Sequence, residues 1–199
     1  MRDIDDFLPL INVWAPAAPE PVTLNFLRQA AKELCQRTRC WRFTDSFETT
    51  GDDIEVMCTP PYADLFEIEW ARFDDMELEQ KAPTGDMLFH DNGQPRYFYQ
   101  TGPNTISLEP RAKGTLSLSL FLQPSVGTEM LPAFMLDQFG DALAAGTLSR
   151  LLLLPNQPFT DANMAMVKAA EWRDVLDRNF AFNLRGQQRA RKRTKASFL

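Results

Sequence analysis

The stretch Thr128 to Pro155, TEMLPAFMLDQFGDALAAGTLSRLLLLP, constrains this chain more than any other. Pro132 suits a first helical turn, where its missing N–H costs no bond and its fixed φ fits the helix. Met135, Leu136, Phe139, Leu143, Leu148, Leu151 and Leu152 then recur at the spacing of a core-facing helix. Ala142, Ala144, Ala145 and Gly146 leave the middle thin, so a second helix or another subunit could approach its backbone closely. Pro155 ends the run, because the residue before a proline is driven out of the α region. No nucleophile stands beside a base here, so the stretch reads as a structural spine.

Two further helices are written around it. From Thr23 to about Arg39, residues Leu24, Leu27, Ala31, Leu34, Cys35 and Thr38 fall on one face, with Thr23 as the expected N-cap. From about Asp161 to Leu184 the expected buried stripe is Met164, Val167, Ala170, Val175, Leu176, Phe180 and Leu184, with Thr160 as N-cap. The short link to the spine predicts an antiparallel helical hairpin. Between the first helix and the spine, residues 42–127 alternate in the manner of strands. GTLSLSLFLQP is the clearest segment, with Leu116, Leu118, Leu120 and Leu122 on one face. Turn signals separate these segments at Gly51-Asp52, Asp74-Asp75, Asn92-Gly93, Pro103-Asn104 and Pro110 to Gly114. The loop 81–95 is long enough to be a contact loop.

The expected fold class is therefore α+β: a helical bundle, made of the N-terminal helix plus the C-terminal helical hairpin, with an inserted antiparallel β-rich region. The divisions are an N-terminal arm 1–21, a helical core 22–41 and 128–185, a β-rich insertion 42–127 and a basic C-terminal arm 186–199. The first arm holds Phe7, Leu10, Ile11 and Trp14, too apolar for a free tail, among prolines that oppose one continuous helix.

Charge separates sharply along the chain. The net charge is -6, yet Arg185, Arg189, Arg191, Lys192, Arg193 and Lys195 cluster with no acidic residue among them. The remaining residues hold 27 acidic groups against fifteen basic ones. An overall acidic surface argues against a protein that wraps nucleic acid with its whole body. The basic arm alone could meet phosphates or insert into an acidic partner. Its end, Phe198-Leu199, favours docking, since an apolar terminus gains from a pocket.

Candidates for chemistry are thin. His90 is the single histidine, in a polar loop. Cys35, Cys40 and Cys58 lack zinc-ligand spacing and read as reduced, buried thiols. Neither a GxxxxGK[ST] phosphate loop nor a GxGxxG occurs. Asp52-Asp53 and Asp74-Asp75 could together hold magnesium for phosphodiester cleavage. Both pairs sit at turns, however, where aspartate serves local backbone bonds. The expectation is no catalytic residue, no metal and no cofactor. A start without a basic, apolar leader and without a spanning segment points to a soluble chain in a reducing compartment.

Taken in order, several motifs resemble one family. LRQAAKELCQRTRCWRF carries Ala31, Cys35, Thr38 and Trp41 in an A-x-x-x-C-x-x-T-x-x-W pattern. The apolar strand Leu116 to Pro124 follows, then Gly146, Thr147, Leu148, Arg150, Leu151 and Leu152 as G-[AT]-L-x-R-L-L, then Pro155, Pro158 and Phe159. This arrangement is similar, over nearly the whole chain, to the head-to-tail adaptor proteins of tailed bacteriophages, the class that includes the tail tubular protein of short-tailed phages. The resemblance implies a structural virion protein rather than an enzyme. It implies a ring of twelve identical subunits at the neck of the virion, between the portal protein and a tail or nozzle protein. DNA would pass through its channel without sequence-specific binding, and no membrane is involved. The C-terminal arm is then expected to contact the portal through Arg185, Arg189, Arg191, Lys192, Arg193, Lys195, Phe198 and Leu199. Ala142, Ala145, Gly146, Phe7 and Trp14 are expected at subunit interfaces. A nucleic-acid-binding accessory protein acting through the basic tail is the alternative.

Overall fold

The computed structural model describes residues 1–53, 55–81 and 93–179. Strand β1 (Arg2–Asp3) leads into a 3-10 turn (Ile4–Phe7) and a short helix, α1 (Leu8–Asn12). Helix α2 (Glu20–Thr38) follows, then strands β2 (Arg42–Thr50), β3 (Val56–Met57), β4 (Ala63–Phe73), β5 (Met76–Glu77) and β6 (Glu79–Gln80). Strands β7 (Tyr97–Gly102), β8 (Thr105–Glu109), β9 (Lys113–Pro124) and β10 (Met130–Leu131) precede helices α3 (Ala133–Leu151) and α4 (Ala162–Asn179).

Strand β9 is the centre of the β region because it is apolar enough to be covered on both sides. Leu116, Leu118, Leu120 and Leu122 are fully buried, and Ser119 and Phe121 on the opposite face are buried too. The first sheet runs β2-β9-β4-β5 and the second β3-β8-β7-β6, with β1 and β10 as a separate pair. All pairings are antiparallel except β6 with β7. Phe98, Ile106 and Leu108 of the second sheet join Phe73, Leu116 and Leu118 of the first in one buried cluster. The hairpin from β4 to β5 turns on Asp74 and Asp75, both left-handed at φ 45° and 69°, the pairing of angles that matches strand twist in a tight turn. Gly114 passes directly beneath this corner: a Cβ there would lie 2.4 Å from the Phe73 ring.

The helices do not form a bundle of their own, which corrects the fold expected from the sequence. One cluster of buried residues runs from Ile4 and Phe7 through α2, α3 and α4 into both sheets. Helix α2 shows why. Its apolar face is wide, with Thr23, Leu27, Ala30, Ala31, Leu34, Cys35 and Thr38 all buried. Part of that face meets α3, and the rest lies along β9. Gln36 Nε2 donates to Gln123 Oε1 (2.8 Å), and Arg28 Nε donates to the Thr128 carbonyl (2.8 Å). The sheet is thus a wall of the common core, not an insertion into a completed helical unit.

Three boundary expectations also change. Pro19, not Thr23, occupies the N-cap of α2, and the Thr23 hydroxyl donates back to the Pro19 carbonyl (3.2 Å). Asp161, not Thr160, caps α4 by accepting from the Met164 amide (2.9 Å). Thr160 instead donates to the Leu154 carbonyl and closes the connecting turn. Finally, α4 buries Ala165, Trp172 and Leu176, so Val167 and Ala170 of the expected stripe face outward.

Helix α3 is enclosed along most of its length, from Leu143 to Ser149 without a break. Its polar side chains close on their own helix: Thr147 Oγ1 donates to the Leu143 carbonyl (2.7 Å) and Ser149 Oγ to that of Gly146 (2.8 Å). At Gly146 a Cβ would stand 2.9 Å from the Trp172 ring, so α4 approaches where the sequence is thinnest. Gly146→Val should lower stability by about 1–3 kcal/mol through overpacking. Asp137→Ala on the exposed face should change it by less than about 0.5 kcal/mol. Chemical denaturation of the two variants beside the parent checks both.

Candidate interaction surfaces

The thin middle of α3 is occupied by the chain itself. Trp172 of α4 fills the space over Gly146, and its Nε1 donates to Glu33 Oε2 on α2 (3.0 Å). Arg150 of α3 pairs with the same Glu33 carboxylate and also donates to the Gly146 carbonyl (3.0 Å). One carboxylate therefore fastens three helices. Among the expected interface residues, Gly146 faces Trp172 in this junction and Ala145 is buried. Phe7 is 1% exposed and lies in the chain's own core. Ala142 is half-buried.

Trp14 alone of that group keeps a large free surface, at 47% exposure. The Lys168 ammonium sits 4.6 Å from its ring centroid while bonding Glu171 (2.9 Å). This cation–π contact holds the end of the N-terminal arm against α4. Beside it Val13 is exposed, and on the outer side of α4 so are Met166 (63%) and Val167 (51%). In the β region Met57, Tyr62, Phe66 and Val126 are also exposed. Tyr62 has a left-handed backbone, φ 68°, and its carbonyl accepts from the Ser125 amide (3.1 Å).

The outer face of the first sheet is a polar ladder. Arg42 donates to Glu69 through Nε (2.7 Å) and Nη2 (2.6 Å), and Ser119 Oγ donates to the same carboxylate (2.7 Å). Ser46 meets Ser117 (2.9 Å), and Thr115 Oγ1 donates to Glu48 (2.9 Å). Arg39 pairs with Glu67 (2.6 Å) and lies 6.0 Å from the Phe121 ring. These groups satisfy one another across three strands.

The acidic turns hold their own backbone. Asp53 accepts from the Thr50 amide (2.7 Å), and Asp74 accepts from the Thr115 amide (2.9 Å). Among the described residues no group of three His, Cys, Asp or Glu side chains could hold a metal ion. No described helix is long and apolar enough to cross a membrane. A cleft of about 900 Å³ is lined by Glu77, Lys81, Pro95, Arg96, Tyr97 and Glu109. His90 of the loop 81–95 lies outside the described residues, as do all eight expected portal-contact residues from Arg185 to Leu199.

Sequence reasoning passed over Trp172, Glu33 and Lys168, although a signal for the tryptophan was present. Ala165, Trp172 and Leu176 stand at i, i+7 and i+11, a complete buried face that small Ala165 made inconspicuous.

All three cysteines are free thiols. Burial pushes Cys35 well above the ordinary thiol value, and it raises Cys58 as well. The hydrogen bond from Cys35 lowers Cys40, which is only half-buried. Cys40 should therefore carry more thiolate than its neighbours at neutral pH and react first with an alkylating reagent. Mass mapping after brief alkylation of the folded chain checks this, and Cys40→Ser should remove the fast phase.

Comparison with protein families matches residues 2–196 to the family described as SU10 adaptor protein. No curated protein matches the chain.

Proposed function

The chain belongs to the SU10 adaptor protein family, and from that premise we propose that it joins head to tail in a phage virion as a closed ring. The observation that carries this reading is the extent of the family match, which takes in the helices, both sheets and most of the basic arm. A phage adaptor of this family is a structural protein. The finer assignment is ours: a cyclic ring of twelve copies beneath the portal protein, with a tail or nozzle protein below and DNA passing through without sequence readout.

Two features support a ring. Exposed apolar groups occur on both halves of the chain, among them Val13, Trp14, Met166 and Val167 in the helical half and Met57, Tyr62, Phe66 and Val126 in the β half. A cyclic ring needs two different patches per subunit, whereas a two-fold dimer needs one that meets itself. The charge division supplies the second feature. The body carries an acidic excess, and the segment from Arg185 to Lys195 carries six cations and no anion. That segment, with Phe198 and Leu199, is the proposed portal contact. Of the residues proposed for the ring contact, Trp14 and Ala142 retain surface for it.

Electron microscopy of purified portal rings mixed with this chain tests the reading. The full chain should add a second, closed ring beneath the portal. A chain lacking residues 187–199 should remain folded and fail to stay bound. A two-fold dimer or isolated monomer in the particle map would overturn the ring. Salt-sensitive DNA binding by the free chain, with no portal binding, would favour the nucleic-acid accessory reading instead. The turn carboxylates enter no step of this function. Replacing Asp52, Asp53, Asp74 and Asp75 by Asn, whose side-chain oxygen can still accept the backbone bonds, should leave ring assembly intact. Magnesium-dependent DNA cleavage that disappears in this variant would contradict a purely structural role.

A further inference from the structure

Helix α2 ends at Thr38, and Arg39 follows in the left-handed conformation at φ 52°. The Arg39 N–H donates to the Cys35 carbonyl (2.8 Å), so the chain folds back over the last turn of the helix. On a continuing helix Cys35 and Cys40, five residues apart, would stand about 140° apart around the axis. The left-handed residue removes that separation, and the Cys35 thiol donates a hydrogen bond to the Cys40 sulfur. Both neighbours of Cys40 are fixed, Arg39 by the cap and Trp41 by its carbonyl, which accepts from the Leu122 amide of β9 (2.8 Å). Cys58 is engaged elsewhere, its thiol donating to the Asn104 carbonyl (3.2 Å).

We propose that Cys35 and Cys40 are a redox modification site, a dithiol that closes to an intrachain disulfide across the C-terminus of α2. A disulfide needs two sulfurs that can meet and backbones held at a suitable separation, and the capped turn supplies both. The oxidant is a small-molecule disulfide. Cys40, the half-buried member, attacks one of its sulfurs as the thiolate, and the first small thiol leaves. The Cys35 sulfur then attacks the Cys40 sulfur, gives up its proton and expels the second small thiol. Two electrons and two protons pass from the protein pair to the oxidant, which ends as two thiols.

The two thiols are unequal in a way that suits this order. Cys40 keeps some surface, and the hydrogen bond from Cys35 favours its thiolate. Cys35 is fully buried, and that burial keeps it protonated, so it attacks only the sulfur beside it. The same inequality keeps the bond shut once formed. Attack on Cys40 must expel Cys35, whose raised pKa makes it a poor leaving group. Attack on Cys35 itself is blocked by its burial.

On the adaptor reading, the chain is made in a cytosol that keeps thiols reduced and is later carried into oxidising surroundings, where disulfides persist. The joint that closes is the one where α2 gives way to β2, which begins at Arg42. This use of the bond rests on that reading. The chemistry belongs to the folded chain and does not.

Incubating the folded, full-length chain with oxidised and reduced glutathione, then alkylating and digesting it with trypsin, tests the site. Cleavage after Arg37 and Arg39 leaves Cys35 and Cys40 on separate peptides, which only the disulfide joins. The expected result is that joined pair, with Cys58 alkylated and no link between chains. Cys58→Ser should close in the same way. Cys35→Ala should accumulate glutathione on Cys40, at least about tenfold above the parent. Reduction by dithiothreitol should be at least about tenfold slower in the folded chain than in urea. A persistent glutathione adduct on Cys40 of the parent would overturn the proposal. So would closure only after unfolding, a bond to Cys58 or a link between two chains. Equal reduction rates in the folded and unfolded chain would overturn the claim that the bond stays shut. Closure in a chain that binds no portal would count against the adaptor reading alone.

Discussion

A helical segment without a polar side cannot rest on a surface, and the C-terminal half of α3 is such a segment. From Leu143 to Ser149 every residue is buried, including a threonine and a serine whose hydroxyls turn back to their own helix. Each buried leucine is worth about 1.5–3 kcal/mol relative to exposure, and that gain requires cover from several directions at once. The N-terminal arm covers one side: Leu10 lies 3.1 Å from where a Cβ on Gly140 would be. Helix α4 covers another through Trp172, and α2 a third. The rest of the helical half can be understood as the cover that α3 demands.

Polar cover is concentrated where the three helices converge. Glu33 receives Arg150 and the Trp172 indole N–H, so its carboxylate neither lacks donors nor floats in solvent. The side chains of Glu33 and Arg150 are about a third exposed, which places the pair near the surface range, where ion pairs contribute modestly. Geometry matters more than energy here. The indole donor fixes the ring that fills the space above Gly146, and Arg150 fixes the carboxylate that receives it. Helix α2 then carries this arrangement to the sheet, because the same helix hydrogen-bonds Gln123 at the end of β9.

Legibility followed the length of the period. The three long helices and the strand β9 were visible because many residues repeat one spacing, and their apolar faces are wide. Strand β2 was not singled out, since RFTDSFETT shows aromatics four apart and exposes most of its positions. A strand at an edge needs only half of one face buried, so its pattern is weak. The caps were misjudged at Thr23 and Thr160 because a proline N-cap leaves no side-chain signature, and because Asp161 lies next to an equally suitable threonine. The bundle was overturned for a different reason. Periodicity reports that α2 has an apolar face but not what lies against it, and here β9 shares that face with α3. As for sites, the sequence named Ala145 and Gly146 from their small size alone. Small size permits a close approach and is silent on whether the visitor is another chain or, as here, Trp172.

The remaining tension lies between an acidic body and a basic end. Ordering a free segment costs roughly 1–2 kcal/mol per residue in backbone entropy, while an exposed ion pair returns about 0–1 kcal/mol. Six cations drawn to a surface with an acidic excess therefore cannot hold a long segment in place by charge alone. Charge can choose the surface, but backbone hydrogen bonds or buried apolar side chains must hold it. At the terminus, Phe198 and Leu199 are the side chains whose burial would offset that cost. Phe182 and Leu184 stand near one end of the basic run and Phe198 and Leu199 beyond the other, so apolar side chains that can do the holding flank the cations on both sides.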